Sequence, residues 1–159
     1  MPATTREDIL ARLLEILRTV PDITTVVRNR GLVDNNMRPA IVLMDGSEVE
    51  GLRPPRNGRG GDQVVVRTTK IMRPQVFVLL KTAGPTNVAP DGENVGKKLN
   101  EHKVEVSRLI LADTQLRALL GSNGALTYTG AETDMQSGAA MAGQMRLDFQ
   151  ITYVFDPRT

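Results

Sequence analysis

The stretch that most constrains this chain is its last one, where Met145, Leu147, Phe149, Ile151, Tyr153 and Phe155 alternate with Arg146, Asp148, Gln150 and Thr152. Successive side chains of a strand point to opposite faces, so this pattern demands an extended strand with one buried and one wet face. Such a strand is stable only within an antiparallel sheet whose apolar side is covered. The rest of the chain must therefore supply further strands and the cover.

The cover is legible as helices. Thr4-Thr5-Arg6-Glu7 has capping-box spacing, with Asp8 adding negative charge to the first turn. Behind it Ile9, Leu10, Leu13, Leu14, Leu17 and Val20 recur on one helical face until Pro21. A second seam runs through Val95, Leu99, His102, Val106 and Leu109, with Lys97, Lys98, Glu101, Glu105 and Arg108 on the solvent side. Asp113 caps a short helix carrying Leu116, Leu119 and Leu120, which ends at Gly121.

The remaining strands are shorter. Ile23–Arg30 is β-branched, and Ala40–Met44 is an apolar run closed by an Asp45-Gly46 turn. Val64–Met72 and Gln75–Lys81 read as two strands, with Pro74 marking an edge, a bend or a bulge between them. Leu126–Gly130 is a further short strand. Three long Gly/Pro-rich loops interrupt this pattern, at Gly51–Gln63, Thr82–Asn94 and Ala131–Gly143. Helix, strands, two helices and strands in that order give an α+β fold. Its mostly antiparallel sheet is covered on one face by the N-terminal helix and a central helix pair, as one domain over 1–159.

Composition removes several chemistries. With 159 residues and no cysteine, a core forms without disulfides, and thiolate metal sites or cysteine nucleophiles are excluded. A lone histidine, His102, excludes a multi-histidine centre, and its place on an apolar seam reads as packing rather than catalysis. Asp45, Glu48 and Glu50 put three carboxylates close together but miss the EF-hand spacing. Gly58, Gly60 and Gly61 lack the G-K-[ST] of a phosphate loop. We therefore expect no catalytic residue, no cofactor and no metal.

Charge and hydropathy bound the partners. Residues 1–81 hold 13 basic and 9 acidic side chains, net +4, and residues 82–159 hold 7 and 9, net −2. The overall formal charge of +2 and the 3% aromatic content are weak grounds for nucleic-acid binding. No apolar run reaches membrane-span length, and Met1–Arg12 lacks the apolar core of a signal peptide. A soluble, non-secreted protein of a reducing compartment is expected.

Ordering long loops costs conformational entropy that is recovered only if something docks against them. The candidate contact residues are accordingly Arg53, Arg56, Arg59 and Asp62 in the first loop, and Asn87, Asp91 and Glu93 in the second. Glu132, Asp134, Met135 and Gln136 are the candidates in the third.

Several segments, in order, carry a resemblance that spans residues 5 to 157: REDILARLLEIL, VVRNR, RPAIVLMDG, RPQVFVLLK, RLILAD, TQLRALLG, YTGAETD and AGQMRLDFQITYVFDP. In this order and spacing the chain resembles the tail terminator (tail completion) proteins of long-tailed bacteriophages, of the lambda minor tail protein U type. The long arginine loop is not part of that pattern. The resemblance implies a non-catalytic α+β subunit that forms a hexameric ring on the head-proximal end of the tail tube. That ring stops tube polymerisation and presents the head–tail joining surface. The partners it implies are further copies of the chain, the tail tube protein and the head-completion or connector protein. The tape measure protein is a further contact, and DNA passes through the lumen without sequence-specific binding. The resemblance also implies that no membrane is involved and that the protein belongs to the virion neck after assembly in the host cytoplasm.

Two other readings use the same residues. Another neck component, a head-completion or connector protein, shares the ring logic. A small nucleic-acid-binding module would use the arginine loop and lose affinity steeply with salt.

Overall fold

The computed structural model describes residues 4–51, 68–80, 92–135 and 143–155. In chain order these form α1 (Arg6–Leu17), β1 (Thr25–Arg28), a short 3-10 turn at Asn35–Met37, β2 (Ala40–Glu50) and β3 (Thr68–Leu79). They continue with α2 (Gly92–Ala112), α3 (Thr114–Leu120), β4 (Ala125–Met135) and β5 (Gly143–Phe155). The strands make one open sheet in the order β1-β2-β3-β5-β4, parallel between β1 and β2 and antiparallel at every other step. This is the α+β architecture expected, with the helices on one face of a mostly antiparallel sheet.

The alternation in β5 translates directly into burial. Met145, Leu147, Phe149, Ile151 and Tyr153 are buried, while the intervening residues from Gln144 to Val154 are half-buried. β5 sits inside the sheet between β3 and β4, so its buried row lies at the centre of the main core. There it meets Ile9, Leu10, Leu13 and Leu17 of α1, Leu99, Val106 and Ile110 of α2, and Leu116 and Leu120 of α3. Phe149 is 1% exposed and stacks at a tilt on Tyr128, with ring centroids 5.6 Å apart. Burying such a side chain contributes about 1.5–3 kcal/mol. A second, smaller cluster of Val33, Ala40, Val42 and Leu79 covers part of the opposite face, beneath the segment between β1 and β2.

Helix ends follow local chemistry, with one correction. The α1 N-cap is Thr5, whose partner in the capping box is Asp8, rather than Thr4 with Glu7. Thr4 donates instead to the Leu119 carbonyl at 2.9 Å, and Glu7 pairs with Arg28 at 2.6 Å. Tertiary partners took both residues from the shifted box. Asp113 caps α3 as expected, accepting from the Leu116 N–H at 2.7 Å, and Gly121 terminates it with φ +74°.

Three strand boundaries also differ from expectation. Asp45-Gly46 is not a turn: β2 runs through it to Glu50. The described residues of the two strands expected around Pro74 form one, β3, which is central; of the edge, bend or bulge expected at Pro74, the bulge is what forms. β4 does not stop at Gly130 but continues to Met135, so Glu132, Asp134 and Met135 lie in a strand rather than a loop. Each break signal in the sequence was absorbed by a bulge, which lets a ladder resume past an irregular residue. Likewise α2 starts at Gly92, which places Glu93 in its first turn.

Candidate functional site

Two bulges lie side by side across the sheet. Between Met44↔Gln75 and Ser47↔Arg73, the two β2 residues Asp45 and Gly46 face the single residue Pro74. Proline has no N–H to donate, so the extra residue of the bulge sits where a ladder bond is missing anyway. Gly46 is held at φ +68°, and a Cβ there would lie 1.8 Å from the Arg73 carbonyl oxygen. Between Tyr128↔Phe149 and Gly130↔Asp148, β4 carries an extra residue as well.

Together the bulges open a cleft of about 570 Å³, lined by Gly46, Ser47, Arg73, Pro74, Gln75, Thr129, Arg146, Asp148, Phe149 and Gln150. A polar chain crosses it. Arg146 pairs with Glu132 at 2.9 Å and with Asp148 at 3.1 Å; Gln75 donates to the Asp148 carboxylate at 3.1 Å; and Thr129 donates to the Asp148 carbonyl at 3.0 Å. Arg73 is exposed. The cleft thus offers guanidinium, amide and hydroxyl groups to a partner, and its one lining carboxylate is already engaged.

Beside the bulge, an ion cluster ties α1 to the sheet. Arg28 donates to both oxygens of Asp45, at 2.7 and 2.8 Å, and to both oxygens of Glu7, at 2.6 and 3.0 Å. Its guanidinium holds the Asp45 and Glu7 carboxyls below the usual carboxylate range. Arg6 donates to the Gly46 carbonyl at 2.7 Å. Tyr153 donates to Glu48 at 2.8 Å, and burial, reinforced by that carboxylate, pushes its phenol up. Asp45, Glu48 and Glu50, adjacent in sequence, are thus claimed by Arg28, Tyr153 and Lys70 respectively. No group of three or more possible metal ligands occurs among the described residues.

His102 lies half-buried on α2, where burial lowers its pKa. Of the contact residues expected from the sequence, Arg53, Arg56, Arg59, Asp62, Asn87, Asp91 and Gln136 lie outside the described residues. Glu132, Asp134 and Met135 share the outer edge strand β4, and Glu93 stands on α2. Glu132 joins the cleft network, through Arg146.

Sequence reading missed Arg73, Gln75, Arg146 and Asp148 as a group. The available signal was Pro74 in one strand and Asp-Gly in its neighbour, two breakers that meet once the strands pair. Among the described residues no helix is long and apolar enough to cross a membrane. Compared with models of known protein families and with curated proteins, the chain matches none.

Proposed function

We propose that this chain is a structural, ring-forming subunit of the tail terminator type, capping the head-proximal end of a phage tail tube and offering the surface to which the head docks. One observation carries this reading: the long connectors leave the sheet at opposite ends. Residues 81–91 and 136–142 follow Leu80 and Met135, at the end where Leu79 pairs with Gln144 and Met135 with Gly143. Residues 52–67 lie between Gly51 and Thr68, at the other end, where Thr68 pairs with Phe155.

A subunit whose two sheet ends differ fits a ring that meets tube on one side and head on the other. The ends differ in charge as well. Segment 52–67 holds Arg53, Arg56, Arg59 and Arg67 against Asp62, net +3, whereas segment 81–91 holds Lys81 against Asp91, net 0. The polar, guanidinium-bearing cleft supports contact with a macromolecule, and the reading involves no catalysed reaction.

Light scattering over a concentration and salt series tests it. A species near six times the 17.4 kDa chain mass, alone or after addition of tail tubes, supports the ring. A chain that stays monomeric with tubes present refutes it. Copurification with DNA-filled heads rather than tubes favours a different neck component.

A further inference from the structure

Among the described residues the sheet ends in two strands that are each paired on one side: β1 with β2, and β4 with β5. One parallel step followed by three antiparallel steps leaves β1 and β4 running in opposite directions. The β1 edge of one copy therefore meets the β4 edge of a like-oriented copy as an antiparallel pair, the more stable ladder.

The register shows where they meet. Thr25 pairs with Ala40, Ala40 with Leu79, Leu79 with Gln144, and Gln144 with Asp134, so these residues form one row across the sheet. Three rows further, Arg28, Leu43, Val76, Leu147 and Ala131 form another. β1 is thus level with Ala131–Asp134, the part of β4 beyond its bulge, where the ladder is regular.

The two edges are complementary in charge. That part of β4 carries Glu132 and Asp134, and the β1 side carries Arg28 and Arg30. Arg28 is engaged by Glu7 and Asp45, and Glu132 by Arg146 of its own sheet, whereas the contact that exposed Arg30 makes among the described residues is a donation to the Leu32 carbonyl at 3.1 Å. Ala125–Met135 carries no lysine or proline, and the bulge that twists this edge lies before Gly130, outside the Ala131–Asp134 part.

We infer that the Ala131–Asp134 edge of β4 is the docking site for the β1 edge of a second copy of this chain, forming a head-to-tail antiparallel ladder with Arg30 facing exposed Glu132. The inference rests on the ring reading, because a contact between two different edges, repeated about an axis, closes into a ring.

The chain has no cysteine, so engineered thiols report contacts cleanly. A Thr25→Cys protein is mixed with Glu132→Cys, Asp134→Cys or Thr127→Cys protein and oxidised, and native mass is measured in parallel. Testing both Glu132 and Asp134 allows for a two-residue slide from strand tilt. The expected result is a disulfide heterodimer with Glu132→Cys or Asp134→Cys and none with Thr127→Cys, which lies on the other side of the bulge. With the Asp134→Cys partner, Arg30→Glu should cut the yield about tenfold, since like charges across an interface are costly, and a compensating Glu132→Arg in that partner should restore it.

A closed ring without these crosslinks, or with equal crosslinking at Thr127→Cys, overturns the edge contact and leaves the ring reading standing. A specific heterodimer that never closes supports the edge contact and counts against the ring. A monomer that neither crosslinks nor assembles overturns both.

Discussion

Gly46→Ala probes the geometry that creates the cleft. At φ +68° an alanine occupies the left-handed region, which costs about 1–2 kcal/mol for an L residue. Its Cβ would also lie 1.8 Å from the Arg73 carbonyl oxygen and 2.7 Å from the Arg73 carbonyl carbon. That neighbour is backbone in a central strand and cannot rotate away, so overpacking adds about 1–3 kcal/mol. The sum is about 2–5 kcal/mol, a fall in Tm on the order of 10 °C for a chain of this size.

Gly121→Ala separates the two contributions. Its φ of +74° is similar, but nothing lies within 4 Å of the added methyl. With ψ at −179° it lies in an extended positive-φ region that is essentially restricted to glycine, so it should cost only a conformational part of about 1–3 kcal/mol. Urea unfolding of both variants, with equal m-values required, measures the difference. If Gly46→Ala destabilises no more than Gly121→Ala, the bulge does not press Gly46 against the Arg73 carbonyl as described.

Further outcomes follow from the ion pairs and the first connector. Asp45, Asp113 and Glu7 have carboxyls depressed by Arg28, Arg12 and Arg28 respectively, so their stabilisation is complete above the ordinary carboxylate range and is lost as pH falls through the lowered values. Unfolding free energy should hold from neutrality to about pH 5 and drop below it, and Asp45→Asn should flatten that drop; an unchanged slope refutes the assignment. Asp113→Ala removes the α3 cap and the partner of Arg12, whose Nη2 lies 2.6 Å from Asp113 Oδ2. We expect a loss of about 1–2 kcal/mol in urea unfolding, against near-neutrality if the cap is idle. Replacing Arg53, Arg56 and Arg59 with Ser should leave circular dichroism and Tm unchanged yet impair ring assembly or head joining, and normal infectivity would remove the case for that segment.

Fold class was readable because period is a local property. The alternation in β5, the seams of α1 and α2, the Asp113 cap and the Gly121 stop each depend on residues a few positions apart. What went astray were the break signals. Asp45-Gly46, Pro74 and Gly130 each forbid a regular ladder at one residue, and a local rule turns that into a strand end. Only pairing reveals that Asp45-Gly46 faces Pro74, so that one irregularity satisfies both strands and neither ends.

The sequence by itself determined the element types, the buried faces and the lack of cysteine with a single histidine, because hydrophobic period and composition are local properties. The tertiary structure alone decided which strands are edges, that β1 and β4 oppose in direction, and that Arg28 binds Glu7 and Asp45 together. These depend on contacts 17 and 21 residues apart for Arg28 and 105 for Tyr153 with Glu48. Such contacts form only when the whole sheet closes on its core, since burial of the shared apolar face rather than any local preference offsets their loop-closure entropy.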